Sequence, residues 1–365
     1  MSDERDLDLV LVTGAGASRD LADPPFPLMA DWSAALRRHL GSKGMHFGDI
    51  VNLPDGANGY EFEERLGAFL RDAQAFQAIG PLIGRTINFP NLPAGFNGNS
   101  SINDWHFQIS YVLTQAIDAI HESLVEEFGK RTYDTNKGTN AYRNILGAMR
   151  IQQGVSKWVC ATTNYDQNSE GILYDLGFRP TYGVSVHPRG GEKTIDVRGL
   201  VQNMGSQEVP VLHLHGAVGW FQRTNGDTYA TVPNGGPQTT GDIPIVMLPD
   251  PEKDYQSNGT IRDSWTEFRD ALRRAKKVLI VGHSLNDKVI VDSLNELVEP
   301  VTRVGVAVQG QQGDQNPSRA GAELVRRIPE LFGATLVTFP LIFGDKLRSD
   351  VTQQIEGWVN GTEKM

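Results

Sequence analysis

Seven short apolar runs rich in Val, Ile and Leu punctuate the chain: Leu7 to Val12, Trp158 to Ala161, Val211 to Leu214, Ile243 to Leu248, Val278 to Val281, Val304 to Val308 and Thr335 to Phe339. A strand with one wet face alternates apolar and polar residues, whereas these runs are apolar on both faces. They read as strands buried on both sides. Helical patterns lie between several of them: Trp265, Phe268, Leu272 and Ala275 recur at helical spacing, as do Val289, Ile290, Leu294, Leu297 and Val298. Strands alternating with such helices predict an α/β fold, a doubly wound, Rossmann-like parallel sheet with helices on both faces.

The stretch from Asp31 to Arg150 breaks this alternation. Phe62, Leu66, Phe69 and Leu70, then Ile117, Ile120, Leu124 and Phe128, then Tyr142, Ile145, Leu146 and Met149 all follow the helical period. This predicts a large helical insertion between the first and second strands. Within it Thr86 to Ser101 is rich in Asn, Gly and Pro and reads as a long loop, as do Pro188 to Gln207, Gln222 to Asp242 and Gln309 to Ser318.

Composition then removes several classes of function. The 34 basic residues against 44 acidic ones give a net charge of −10, the wrong balance for a surface that coats phosphate backbones, so direct nucleic-acid binding is not expected. One cysteine, Cys160, excludes an intrachain disulfide and a four-cysteine zinc site, and His39, His46, His106, His121 and His187 show no metal-ligand spacing. The first residues, Met1 to Asp6, lack the basic start and apolar core of a signal peptide. No stretch approaches the roughly 18 apolar residues of a membrane span. The expectation is a soluble, cytoplasmic protein.

The informative regularity is where the polar motifs sit. Leu7 to Val12 runs directly into Thr13, Gly14, Ala15, Gly16, Ala17 and Ser18, and Trp158 to Ala161 into Thr162, Thr163, Asn164, Tyr165 and Asp166. Val211 to Leu214 leads to His215 and Gly216, and Val278 to Val281 to Gly282, His283, Ser284, Leu285, Asn286 and Asp287. In an open parallel sheet, ligands bind in the crevice beyond the carboxyl ends of the strands, so four motifs at four strand ends are placed to converge on one pocket.

Each motif has a chemical reading and a plainer one. Gly14 and Gly16 let a backbone approach a pyrophosphate. A third glycine of the dinucleotide fingerprint is replaced by Arg19, Pro24, Pro25 and Pro27 follow where the helix should continue, and a simple strand-to-helix turn uses the same residues. Asn164 can hold a ribose hydroxyl or a water and Asp166 can accept a hydrogen bond or stabilise developing positive charge, although Asx residues also make turns. His213 and His215 alternate along one strand and so share a face. The glycine after His215 opens room for a ligand and favours it as a base, while His213 reads as a hydrogen-bonded core imidazole. Ser284 is a candidate ribose or phosphate ligand, with His283 lining the pocket.

In their order along the chain these motifs resemble the sirtuin superfamily: Gly14, Ala15, Gly16 with Ser18; then Asn164 and Asp166; then His215 and Gly216; then Gly282 and Ser284. The span from Gly216 to Ile243 holds no cysteine, so the zinc module of the family's protein deacylases is ruled out. The helical insertion before Asn164 is similar to that of prokaryotic sirtuin-like NAD hydrolases in antiphage defence. Gln309 stands where the deacylases carry an Asn toward the adenosine ribose.

The resemblance implies one sirtuin-like NAD-binding domain over residues 1–365, with the insertion at 31–150 inside it. It implies an enzyme that cuts NAD into nicotinamide and ADP-ribose, with NAD as substrate and no zinc or other metal. Asn164 and His215 would be catalytic. Gly14, Ala15, Gly16, Ser18, Asp166, Gly282 and Ser284 would contact the dinucleotide. A hydrolase of NAD needs a switch, and Lys346 to Met365 is short of the roughly 50 residues of a sensing domain. A homo-oligomer activated by a separate sensor is therefore expected, such as a short Argonaute-like protein or a hexameric translocase ATPase, with the insertion as contact surface or as a lid. Two other classes share the motifs: a protein deacylase or ADP-ribosyltransferase, with Gln222 to Asp242 as acceptor loop, and a scaffold that senses NAD or ADP-ribose without consuming it.

Overall fold

The computed structural model describes residues 6–18, 26–51, 59–83, 102–129, 143–147, 156–186, 193–205, 207–231, 237–238, 241–250, 253–298, 302–309, 336–341 and 349–360. The chain divides into two compact units, one of Met1–Leu28, Phe128–Met247 and Asp254–Met365, the other of Met29–Glu127 and Leu248–Lys253. The strands in chain order are β1 (Leu9–Thr13), β2 (Trp158–Thr162), β3 (Arg179–Thr181), β4 (Val184–Val186), β5 (Lys193–Ile195) and β6 (Glu208–His213). They continue with β7 (Gly216–Gln222), β8 (Thr228–Ala230), β9 (Ile243–Val246), β10 (Lys277–Val281), β11 (Arg303–Gln309) and β12 (Leu336–Leu341). The helices are α1 (Ala15–Ser18), α2 (Met29–Ser42), α3 (Phe47–Ile50), α4 (Gly59–Ile83), α5 (Ile102–Gly129), α6 (Asn168–Asp175), α7 (Gly259–Arg274), α8 (Lys288–Leu297) and α9 (Ser349–Asn360).

The first unit is built on a seven-stranded sheet in the order β12-β11-β10-β1-β2-β6-β3. Every neighbouring pair is parallel. Apart from the short edge strand β3, this is the Rossmann order: the chain moves outward from β1 through β2 to β6, returns to β10 beside β1, and moves out the other way. The order reverses between β1 and β10, and there a doubly wound sheet opens a crevice at its carboxyl edge.

Alternate residues feed two apolar layers, which is why the runs carry no polar phase. Val10, Val12, Val159, Ala161, Leu212, Val278 and Ile280 join Phe268, Ala271 and Leu272 of α7 and Ile290 and Leu294 of α8 in one layer. Leu9, Leu11, Trp158, Cys160, Val211, Leu279 and Val281 join Ile172 and Leu173 of α6 and Ile355, Trp358 and Val359 of α9 in the other. Each fully buried Val, Leu, Ile or Phe among them contributes about 1.5–3 kcal/mol. Helix α7 starts where it does because the Asn258 side chain accepts from Thr260 N and Ile261 N at 3.0 and 3.2 Å. Arg273 and Arg274 in its last turn suit the negative end of the helix.

A second sheet, order β4-β5-β8-β7-β9, is antiparallel and corrects the sequence reading in four places. The run at Ile243 pairs antiparallel with β7 instead of joining the parallel sheet. The expected loops beginning at Pro188 and Gln222 contain β5 and β8. Gly216–Gln222, read only as the stretch after a histidine, is a strand whose register breaks between Gly216 and Phe221. Gly219 within it has φ +90°, a conformation that favours glycine. The expected loops at Thr86 to Ser101 and Gln309 to Ser318 lie outside the described residues, apart from Gln309 itself, whose backbone ends β11.

The second unit is helical. Trp32 and Leu36 of α2, Phe62 and Leu66 of α4 and Ile120 and Leu124 of α5 are fully buried. The Trp32 ring meets Phe62 edge-on at 5.4 Å and its indole N–H donates to Ser123 Oγ at 3.2 Å. Arg71 pairs with Asp250 and Lys253 with Glu63. Gly67 is small for a reason: a Cβ there would come within 2.6 Å of Asp250 Oδ1.

Candidate active site

The four strand-end motifs meet, and each of the contacts joining them is specific. The glycine loop after β1 seats against the end of β10, with Gly14 N donating to Val281 O at 3.1 Å and Gly16 N to Gly282 O at 3.0 Å. This gives the glycines a reason of their own. A Cβ on Gly14 would lie 2.7 Å from His283 Cα, one on Gly16 2.9 Å from Gly282 O, and one on Gly282, where φ is +61°, 2.3 Å from Ala17 N. The amides of Gly14 and Gly16 are thus spent on the end of β10 and the first residue of the loop after it.

The same loop reaches the end of β2 through Ser18. Asn164 Nδ2 donates to Ser18 Oγ at 2.8 Å, and Ser18 Oγ donates to Asp166 Oδ1 at 3.2 Å, forming a buried amide, hydroxyl and carboxylate chain. Asp166 Oδ1 also accepts from Asn168 N at 3.0 Å, the turn that starts α6. Burial outweighs these donors and pushes the Asp166 carboxyl up to about 6. Asn164 Oδ1 and Asn168 Nδ2 are buried with no hydrogen-bond partner among the described residues.

Tyr165 carries the connection onward. Its hydroxyl donates to Met247 O at 2.7 Å, its ring lies 5.2 Å from Phe128 edge-on, and its centroid is 6.2 Å from that of His215. Strand β6 ends at His213, so the alternation expected to put both histidines on one face stops there, and they take different partners. His213 Nε2 donates to Glu170 Oε1 of α6 at 2.5 Å, fully enclosed. Burial works against charge on this imidazole, but the Glu170 carboxylate wins and holds it above its ordinary value.

His215 Nε2 lies 3.0 Å from Asp287 Oδ2, with both side chains 7% exposed. Tyr255 OH donates to the same oxygen at 2.6 Å, and Val289 N donates to Asp287 Oδ1 at 3.1 Å. Gly216, at φ +74°, is required here because a Cβ would come within 2.0 Å of Ile245 O. The loop that delivers Asp287 is strained: buried Leu285 has φ +53°, a conformation costing about 1–3 kcal/mol for a non-glycine residue, and Leu285 N donates to His283 Nδ1 at 2.9 Å. Ser284 is exposed on that loop and its Oγ accepts from Asn286 N at 3.4 Å.

The structure thus gathers Gly14, Ala15, Gly16, Ser18, Asn164, Asp166, His215, Gly282 and Ser284 at one sheet edge. Sequence reasoning missed the roles of Glu170, Tyr255 and Asp287. Asp287 alone left a signal, as the helix-capping residue directly before the periodic Val289, Ile290 and Leu294.

No family model matches the sequence, and no curated protein matches it. Among solved structures, one described as "Structural Basis for the Mechanism and Regulation of Sir2 Enzymes" aligns with 99% of this chain and 95% of its own, at a TM-score of 0.40 and 12% identity. The fold assignment stands on the strand order itself, a doubly wound parallel sheet with its polar loops at the switch point. Among the described residues no group of His, Cys, Asp or Glu is arranged to hold a metal, and no helix is long and apolar enough to cross a membrane.

Proposed function

We propose that the chain is an NAD hydrolase that releases nicotinamide and leaves ADP-ribose. The observation that carries this reading is the convergence of Ser18, Asn164 and Asp166 with His215 at the switch point of a Rossmann-ordered sheet. Breaking a nicotinamide–ribose bond leaves positive charge on the ribose and requires a placed water. Asp166 is the carboxylate for the first task. Asn164, its amide nitrogen fixed by Ser18 and its Oδ1 without a partner among the described residues, is the acceptor for a ribose hydroxyl or the water. His215 takes the proton. The loop of Gly14, Ala15 and Gly16 and the loop of Gly282 and Ser284 flank the dinucleotide.

The finer reading follows the resemblance: one sirtuin-like domain with the helical stretch 31–150 inside it, acting as the toxic effector of antiphage defence, assembled as a homo-oligomer and switched on by a separate sensor protein. The exposed Trp105, Phe107, Tyr111 and Val112 on α5 support an assembly role for this stretch. The test is to incubate purified chain with NAD and measure free nicotinamide, alone and with candidate partners, while light scattering records the mass. Nicotinamide release without an acceptor supports hydrolysis. Release only with an acylated peptide points to a deacylase, and NAD bound but unconsumed in every assembly state defeats the proposal in favour of a sensor. A monomer hydrolysing at full rate without a partner defeats the switch alone.

A further inference from the structure

We propose that Asp287 and Tyr255 are positioning residues that lock His215 in the tautomer protonated on Nε2, making Nδ1 the basic nitrogen. The catalytic consequence rests on the hydrolase reading above; the tautomer does not.

The argument starts from hydrogen-bond inventory. An ionised carboxylate only accepts, so the 3.0 Å contact between His215 Nε2 and Asp287 Oδ2 places a proton on Nε2. A neutral imidazole protonated there carries its lone pair on Nδ1. Tyr255 OH, at 2.6 Å from the same oxygen, strengthens the arrangement, because a phenol donating to Asp287 keeps the carboxylate in its accepting role. All three partners are held from outside the contact. Asp287 caps α8 through Val289 N. The Tyr255 ring packs edge-on against Trp265 at 4.4 Å. The His215 carbonyl accepts from Met247 N at 2.8 Å. The strained backbone at Leu285 feeds directly into Asp287, so the loop delivers this carboxylate to one place at a conformational cost that capping a helix does not require.

In the proposed reaction the C–N bond breaks with its electron pair leaving on the nicotinamide nitrogen, water oxygen forms the new bond to the ribose carbon, and the proton that water loses passes to Nδ1, directly or through a ribose hydroxyl. Asp287 remains ionised and balances the imidazolium.

Asp287→Asn separates positioning from capping. Its Oδ1 still accepts from Val289 N, since Asn is as good a cap as Asp. Its Nδ2 can only donate toward His215 Nε2, which drives the proton to Nδ1, and loss of orientation of this kind is severe in imidazole bases paired with a carboxylate. The experiment is nitrogen NMR of the ¹⁵N-histidine-labelled full chain, with His215 assigned by the signal missing in His215→Gln. The expected result is a protonated Nε2 in the wild type and an inverted pattern in Asp287→Asn. Turnover of NAD should fall about 100-fold in that variant, with KM changed less than about threefold, and Tyr255→Phe should give a smaller fall in the same direction. A wild-type His215 protonated on Nδ1, or a pattern unmoved by Asp287→Asn, overturns the proposal. Failure of the wild type to release nicotinamide defeats the hydrolase reading, and the NMR arm still decides the tautomer.

Discussion

Two histidines two residues apart each face a carboxylate, and the proposed function gives the two pairs opposite uses. His213 and Glu170 are sealed inside the first unit, where the ion pair joins the end of β6 to α6. His215 sits just past the end of that strand and Asp287 in the loop after β10, where the loops meet at the sheet's carboxyl edge. A buried pair contributes mainly through what its loss exposes: removing one partner strands a charge in low dielectric. A pair at a site edge contributes through orientation. The teaching is that the two-residue step from strand interior to strand end decides which role an imidazole takes, and variants can test it.

The largest effect on stability should come from Glu170→Ala, which leaves His213 enclosed without its carboxylate and should cost about 3–5 kcal/mol. Denaturant unfolding measures it. A cost below about 1 kcal/mol would show that the two side chains are not an ion pair in solution. The pH dependence has a definite sign. His213 is held above its ordinary 6.5, so its contribution is complete below that pH and fades as pH rises through the folded value.

The contrast reverses for the second histidine. His215→Ala, and with it Asn164→Ala, should lower nicotinamide release by about 100-fold or more in a protein that still folds, as circular dichroism would check. Near-normal turnover in a folded variant removes that residue from the mechanism.

Asp166 gives a third, more modest effect that links the two regions, since Ser18 donates to it on the site side and it feels both Glu170 and His213 through space. With its carboxyl pushed up to about 6, the acid form is favoured by folding. As pH falls from 7 toward 4, this group should therefore add stability while turnover, which in the proposed mechanism needs the carboxylate, declines through about pH 6. Asp6 and Asp8, held below the ordinary 3.8 by Arg274 and by donors from Ser156, Lys276 and Lys157, oppose this only at lower pH. If folded Asp166→Asn keeps the same acid limb in kcat/KM, the limb belongs to another group.

How much of this was legible beforehand follows from length and locality. Strands such as Val278 to Val281 announce themselves because burial on both faces forbids polar residues, and the motifs at their ends follow directly. The antiparallel sheet did not, because β4, β5 and β8 are three residues each and mix Lys, Thr and Ser with apolar residues. The run at Ile243 was visible as a strand but its partner was not, since an apolar run does not encode pairing direction. Asn164 and His215 stood out by position. Glu170, Tyr255 and Asp287 act on residues 32 to 72 positions away, through contacts no local pattern contains.

The smallest expected effect discriminates best. Replacing both members of the inner pair, His213→Leu with Glu170→Met, removes the stranded charge along with the attraction, and apolar replacements of buried pairs are often neutral. Unfolding free energy should return to within about 1 kcal/mol of wild type. Glu170 and His213 push the Asp166 carboxyl in opposite directions, so their joint loss should also leave the acid limb of turnover near its original pH. The corresponding change at the outer pair, His215→Leu with Asp287→Asn, retains the helix cap and should leave the fold intact, yet no turnover should return, because orientation and basicity have no apolar substitute. Recovery of stability in the first double variant without recovery of activity in the second is the signature of one pair that holds the fold and one that serves the chemistry. Equal behaviour of the two would dissolve the distinction.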